Sequence, residues 1–360
     1  VINLKFKFTK GLINMKTNKI FIILNSLILL VFVSVNPIFA HEGATGVIKE
    51  RMDKFKISKT MMKQINVGLR ENDFENVDAV IGPLTPANFN KVASELKKYN
   101  TPVISPIGTN LKLHDNVFQS RPSDDLLKMK VVNFVKSDTL SHNIIVITDS
   151  KNKAIASMLK REFNTVKLVY SRKDKEGKDE FFVTKEDIEE ALKPGKNYVF
   201  LETKNEGYAS NVTSVLASLN NKIDPEKENV TPSEIVLLTT SINKAFEGDQ
   251  INNMHLSNLQ FHFATASKEY SDDSNAFVKK YNKLYNITPN KRAVKGFDLT
   301  MDVVLRLVSS EDLYASVNSA PLTEYVENKF AYKKKMFGGY FNDSVYLVKY
   351  DDLTIVEVKQ

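Results

Sequence analysis

Residues 78–86 read Asp-Ala-Val-Ile-Gly-Pro-Leu-Thr-Pro, and residues 100–106 read Asn-Thr-Pro-Val-Ile-Ser-Pro. Each is a short β-branched apolar run stopped by a Gly-Pro or Ser-Pro breaker, the pattern of a buried strand that ends in a turn. Between them, Phe89, Val92, Ala93 and Leu96 recur at helical spacing and predict an amphipathic helix over Ala87 to Tyr99. Strand, helix, strand is a βαβ unit, which requires a parallel pair with a right-handed crossover.

The alternation continues downstream. Val117 to Gln119 reads as a short strand, and Asp124 to Val135 as a helix capped by Ser123. Asn143 to Thr148 is the strongest buried strand of the chain, followed by a helix over Lys153 to Phe163 and a strand over Thr165 to Tyr170. A helix over Asp187 to Leu192, a strand over Tyr198 to Leu201, a helix over Ala209 to Leu219 and a strand over Ile235 to Leu238 repeat the unit. Asn220 to Ser233 is polar, carries two prolines and predicts a long surface loop. Phe277 to Tyr285 and Ala293 to Val308 read as helices. Phe337 to Phe341 and Val345 to Lys349 alternate around Asn342-Asp343, and Leu353 to Val358 alternates again, which predicts closing antiparallel strands. The fold class is therefore α/β, a doubly wound arrangement of parallel sheets in two lobes.

Composition narrows the function. With 360 residues, 42% hydrophobic and 26% charged, the chain is neither disordered nor fibrous. Basic residues number 50 against 43 acidic, a formal +7 that at first suggests an anionic partner. Five of those charges, Lys5, Lys7, Lys10, Lys16 and Lys19, precede the apolar run Ile20 to Val35, which ends in Pro37-Ile38-Phe39-Ala40. Basic flank, apolar stretch and small-residue cut site describe a signal peptide over residues 1–40 with Met15 as its start. The run is shorter than the roughly 20 residues that cross a bilayer comfortably. Without those forty residues the balance is 45 to 43, a formal +2, and no nucleic-acid partner is implied. The absence of cysteine excludes disulfides, zinc ribbons, iron–sulfur clusters, covalent haem and lipoprotein acylation. His142, His255 and His262 lack metal spacing, neither Gly82-Pro83 nor Gly338-Gly339 opens a phosphate loop, and no catalytic constellation stands out. The reading is a non-enzyme with no cofactor and no metal. Lys333-Lys334-Lys335 reads as a solvated face, with contact to an anionic glycan or phospholipid as the alternative.

Residues 41–66 predict an amphipathic helix, with Val47, Ile48, Met52, Phe55, Met62 and Ile65 near helical spacing. The run Gly43 to Met52 resembles the first helix of the cytochrome c-prime and c556 family, in which the methionine at the place of Met52 is an axial haem ligand. The C-x-x-C-H attachment site is absent, so Met52 reads as an apolar packing residue.

The runs Asp78 to Ala87, Asn100 to Pro106 and Val117 to Ser123 resemble the type I periplasmic solute-binding proteins, receptors of branched-chain amino-acid ABC transporters, over residues 72–360. Val294-Lys295-Gly296-Phe297-Asp298, Asn328-Lys329-Phe330 and Gly338-Gly339-Tyr340 fit the same group, in particular its Bacteroidetes lipoproteins and LysM-containing homologues. The resemblance implies a first lobe over 67–138, a second over 139–275, return helices over 276–335 and C-terminal strands over 336–360. It also implies a ligand held between the lobes by loops at the carboxyl ends of parallel strands. First-lobe loops are then Leu84 to Ala87 and Ser105 to Thr109, with Thr85, Pro86, Ala87, Ser105, Gly108 and Thr109 toward a ligand carboxylate. Second-lobe candidates are Asp149-Ser150, Glu202-Thr203 and Thr239-Thr240-Ser241. Glu202 pairs a ligand amine or is a solvated loop carboxylate.

Two departures carry consequences. Pro86 stands where amino-acid receptors favour a serine pair, which removes a backbone donor. Members of the group also carry a β-α-β segment before the Val-Ile-Gly-Pro strand, where this chain has Asn66 to Asn76. A missing first strand leaves a truncated first lobe with bare apolar edges.

The implied function is an exported, periplasmic receptor that binds a small-molecule ligand for an ABC-transporter permease. The alternatives are an envelope interaction module related to peptidoglycan-synthase activators or LysM-associated proteins, with a cell-wall protein as partner, and a fused or truncated product without function. N-terminal sequencing of the exported protein should begin at His41; a start before it contradicts the leader.

Overall fold

The computed structural model describes Ile20–Ile22, Phe74 and residues 77–109, 111–221, 231–269 and 275–359. The helix expected over 41–66, most of the leader and most of the loop after Asn220 lie outside these residues. The chain divides into two compact units, Val1–Pro122 with Glu269–Ser344, and Ser123–Lys268 with Val345–Gln360.

The first unit opens with β1 (Ile20–Ile22), β2 (Ala79–Ile81), α1 (Pro86–Leu96), β3 (Val103–Ser105) and β4 (Val117–Gln119). The second follows with α2 (Asp124–Ser137), β5 (His142–Thr148), α3 (Lys153–Glu162), β6 (Lys167–Tyr170), α4 (Lys185–Glu189) and β7 (Gly195–Glu202). It continues through α5 (Glu206–Leu219), β8 (Ser233–Leu238), α6 (Asn253–Asn258) and β9 (His262–Thr265). The chain returns to the first unit with α7 (Ala276–Tyr285), α8 (Lys291–Ser309) and α9 (Ser316–Ser319). There it adds β10 (Thr323–Glu324), β11 (Lys329–Phe330), β12 (Tyr332–Lys334) and β13 (Tyr340–Asn342). Finally, β14 (Tyr346–Asp351) and β15 (Thr354–Glu357) complete the second unit.

The sheet of the first unit runs β1-β2-β3-β4-β13-β12, parallel except for the β12/β13 pair. Side chains alternate between its faces. Ala79, Ile81, Ile104 and Phe118 pack against Leu299, Val303 and Leu307 of α8 on one face. Val80, Val103 and Val117 pack against Phe89, Val92 and Leu96 of α1 on the other. The expected gap beside β2 is filled: Ile20–Ile22 pairs there in parallel register, Ile20 opposite Ala79 and Ile22 opposite Ile81. These residues belong to the apolar run read as a leader. A chain cut after Ala40 would lose this strand, so one segment is asked to serve as both leader and sheet.

The second sheet runs β15-β14-β9-β8-β7-β5-β6, its five central and edge strands from β9 to β6 parallel and β14 and β15 antiparallel. Helices cover both faces, which explains why β5, β7 and β8 are apolar along their length instead of alternating. Ile145, Ile147, Val199, Leu201 and Leu237 meet Tyr208, Val212 and Leu216 of α5. Val146, Tyr198, Phe200 and Leu238 meet Val131 and Val135 of α2 and Leu159 of α3. The closing strands correct one expectation. Tyr340–Asn342 and Tyr346–Asp351 do not pair around Asn342-Asp343; the first joins β4 and β12, the second joins β9 and β15. Alternation marks a strand but carries no information about its partner.

One buried polar stripe runs along α8. Asp298, Asp302 and Arg306 are each at most 1% exposed and recur four residues apart, on one helix face. Arg306 Nε donates to both Asp302 oxygens at 2.9 and 3.0 Å. Its remaining nitrogens donate to the carbonyls of Ser316, Ala320 and Phe330 and to Thr323 Oγ1. Every donor of the guanidinium fork thus has work in tying down the segment from α9 to β11. Arg306→Met should lower the stability to denaturant by about 3–5 kcal/mol, since it strands a buried carboxylate and three carbonyls. A loss of about 1 kcal/mol or less, the range of an exposed pair, contradicts this role.

Candidate functional site

In open α/β sheets, chemistry gathers where parallel strands end at their carboxyl termini, because the loops there are short and the backbone groups converge. In the first unit, β2 is followed by Gly82 to Thr85 and then α1. Thr85 is the N-cap in extended conformation, and Pro86 takes the first helical position, where a missing N–H costs nothing. The Thr85 hydroxyl makes no capping bond and is buried without a partner. Pro86 and Ala87 are exposed.

Beside it, Ser105 ends β3. Its Oγ accepts from the Gly108 N–H at 3.0 Å, and its carbonyl accepts from the Ser120 hydroxyl at 2.6 Å and the Ser120 N–H at 3.2 Å. A side chain at Gly108 would meet Ser105 Oγ at 2.9 Å and Leu111 Cδ2 at 2.8 Å, so both side chains would have to shift to admit one. Thr109 is half-buried nearby.

The structure adds residues to this end that sequence reasoning missed. Arg121 follows Ser120 directly, and the half-buried Lys295 of α8 lies near enough to feel its charge. Burial pushes the Lys295 ammonium below its ordinary value, Arg121 pushes it the same way, and Glu327 opposes both. Glu327 is 5% exposed; burial raises its carboxyl, and Asp298 adds to the rise. Asp298 fixes the backbone of that loop, accepting from the N–H groups of Val326, Glu327 and Asn328 and from Asn328 Nδ2 at 2.9–3.1 Å. A signal was present in the sequence: Lys295, Asp298, Asp302 and Arg306 follow helical spacing in an otherwise apolar stretch.

In the second unit the ends of β5, β7 and β8 are stitched together. Asp149, 1% exposed, accepts from the Lys151 N–H and Asn152 Nδ2 through Oδ1 and from Thr203 Oγ1 at 2.7 Å through Oδ2. Thr148 Oγ1 donates to the Glu202 carbonyl at 3.0 Å, and Asn243 Nδ2 to the Thr203 carbonyl at 3.1 Å. Ser150 donates through its N–H and its hydroxyl to Asp179, which also pairs with Lys173. Burial alone would raise the Asp179 carboxyl, but its bonds with Lys173 and Ser150 hold it below the ordinary value.

Glu202 is not a solvated loop carboxylate. It is 2% exposed, and Oε1 accepts from the Thr240 N–H at 2.6 Å. Burial raises its carboxyl to about 7, while the bonds from Thr240 and the charge of Lys128 on α2 pull the other way. The Thr240 hydroxyl is buried beside it and, like the Thr240 N–H, lowers the carboxyl. Among the described residues no group of three histidine, aspartate or glutamate side chains is placed to hold a metal ion, and no helix is long and apolar enough to cross a membrane. His262 is stacked on Phe134 with ring centroids 4.9 Å apart, and burial lowers its imidazole to about 4.

No protein-family model matches the chain, and no curated protein matches it. Solved structures do. A putative branched-chain amino acid ABC transporter protein from Rhodospirillum rubrum is similar at 13% identity and TM-score 0.50, covering 82% of this chain and 84% of that one. LpoA from Haemophilus influenzae is similar at 11% identity and TM-score 0.50, covering 85% of this chain and 52% of that one. The branched-chain amino acid transporter substrate binding protein LivJ from Streptococcus pneumoniae, solved in complex with isoleucine, is similar at 15% identity and TM-score 0.41, covering 95% and 100%. The architecture is the type I periplasmic-binding-protein fold, an α/β arrangement with parallel sheets.

The buried acid makes a test of the second unit. A carboxyl whose folded value lies above its unfolded one binds more protons folded than unfolded, so stability falls as pH rises from about 4.5 to about 7 and stays low above. Glu202→Gln, which copies the protonated form and keeps an acceptor for Thr240, should leave stability at pH 5 nearly unchanged and raise it at pH 8 by roughly 3 kcal/mol. Parallel pH profiles of the urea midpoint for variant and parent would refute the assignment.

Proposed function

We propose that the chain is an exported, non-enzymatic receptor that binds a small, amino-acid-like solute for an ABC-type permease. The observation that carries this reading is the opposed chemistry of the two sets of strand ends. The first unit gathers cations and hydroxyls in Arg121, Lys295, Thr85 and Ser105. The second gathers carboxyls and hydroxyls in Asp149, Glu202, Thr203 and Thr240. Cations and hydroxyls of the first kind suit an amino acid's carboxylate, and carboxyls and hydroxyls of the second kind suit its ammonium group. The fold shared with the Rhodospirillum rubrum protein supports the reading at the level of architecture.

The residues divide by role. Asp149 is spent on three internal donors, so its role is to position Thr203 and the turn that carries Ser150. Arg121 and Lys295 recognise the ligand carboxylate, with the Thr85 and Ser105 hydroxyls and Thr109 beside them; Pro86 contributes shape and no donor. Gly108 lets the backbone approach closely, and Ala87 borders the same loop. Export through the leader of residues 1–40, whose removal would take Ile20–Ile22 from the edge of β2, and residence in the periplasm belong to this reading.

Ligand binding only the folded form raises the unfolding temperature. A thermal-shift series over the common amino acids should give at least one concentration-dependent rise. Arg121→Gln and Lys295→Gln should then weaken calorimetric affinity for that ligand ten- to a hundredfold, the range of about 1.5–3 kcal/mol for a charge-assisted hydrogen bond. A flat series overturns the receptor reading, and retention of a cell-wall synthase by the immobilised chain would put the envelope interaction module in its place.

A further inference from the structure

The hairpin between β12 and β13 ends in Lys333-Lys334-Lys335-Met336-Phe337-Gly338-Gly339. Met336 is 89% exposed and Phe337 is 90% exposed, the two most exposed large apolar side chains of the described residues. Solitary exposed apolar residues are ordinary, but two in succession at a tip, with cations behind them, form a small amphipathic wedge.

The wedge is held firmly. Lys335 N–H donates to the Gly339 carbonyl at 2.9 Å, and Gly339 N–H donates to the Leu113 carbonyl at 3.1 Å. Gly338 has φ +133°, and a side chain there would meet the Leu113 carbonyl oxygen at 2.3 Å. One at Gly339 would meet the carbonyl oxygens of Val117 and His114 at 2.3 and 2.4 Å. Both glycines are thus needed for the hairpin to lie against the 113–117 backbone, and Met336 and Phe337 project from that anchored base.

The charges complete it. Lys334 and Lys335 lie over the Tyr340 and Phe341 rings, ammonium groups 5.8 and 5.7 Å from the centroids, and Lys333 pairs with Asp343. The adjoining 111–116 segment adds the exposed Lys112 and one acid, Asp115. Because β13 runs parallel to β4, the tip lies at the amino end of the first sheet, the end away from Ser105, Ser120 and Arg121.

We infer that this tip inserts Met336 and Phe337 into the headgroup region of an anionic lipid surface, with the lysines on its phosphates. A convex wedge with apolar tip and basic shoulder suits a bilayer interface better than a protein partner, which offers depth only where a pocket already exists. The chain contains no tryptophan, so Phe337→Trp in the full chain is a sole reporter of this position. Its emission should shift to the blue with vesicles of equal parts phosphatidylglycerol and phosphatidylcholine and stay unchanged with pure phosphatidylcholine. Met336→Ser with Phe337→Ser should reduce co-sedimentation with the anionic vesicles about tenfold or more without moving the unfolding temperature, since both side chains are already in water. An unshifted tryptophan, or a double variant that sediments as the parent does, overturns the inference; so does equal binding of the double variant and the parent to heparin and to the vesicles, which would mark a polyanion surface instead.

Discussion

The buried guanidinium of Arg306 is the fastening on which the first unit depends. A charge held at 1% exposure is tolerable only when its hydrogen-bonding capacity is filled, and here one carboxylate, one hydroxyl and three carbonyls fill it. The segment from α9 to β11 has little regular structure, so these bonds fix its backbone while Val317, Tyr325 and Phe330 pack into the core. Asp298, two turns earlier on the same helix, does the same for residues 326–328. A single helix face therefore supplies both the anchor of the irregular segment and, through Glu327, an acid beside Lys295.

The second unit solves the same problem differently. Its sheet is apolar on both faces, and the polar groups are confined to the strand termini, where Asp149, Thr148, Thr203 and Asn243 bond one strand end to the next. Such bonds are worth little singly, but burial makes each expensive to break, so the three loops hold one arrangement. Glu202 is the exception that remains adjustable. Burial raises its carboxyl to about 7, so its protonation changes near neutral pH, at a cost to stability once it ionises.

Much of this was legible in the residues. The βαβ order, the strand at Val117–Gln119 and the Ser123 cap follow from period, β-branching and capping chemistry, and the Ser123 hydroxyl does accept from the Leu126 N–H. The burial of Glu202 was legible as well, though the loop reading passed over it. Tyr198 and Phe200 face one core, and two residues on, period 2 carries Glu202 to the same face. What no local pattern shows is partnership across distance. The separation of β13 from β14 and the meeting of Arg121, Lys295 and Glu327 depend on which strands and helices pack together, which a single chain pattern does not encode. The filling of the β2 edge by Ile20–Ile22 was hidden for another reason: an apolar run of that kind fits an export leader and a buried strand equally well.

The division of the chain also orders its assembly in time. The first unit is built from Val1–Pro122 and Glu269–Ser344, so its β4/β13 pairing and the bond from Asn342 Nδ2 to the Ser120 carbonyl join residues 222 positions apart. Closing so long a span costs chain entropy before any contact rewards it, and pairings of this kind are slow. The second unit is almost continuous, with β5 to β9 complete before α7 leaves the ribosome. Its collapse shortens the span that the first unit must close. During synthesis β2, β3 and β4 therefore wait with one sheet edge unpaired until β13 arrives, a kinetic exposure that the finished structure no longer displays.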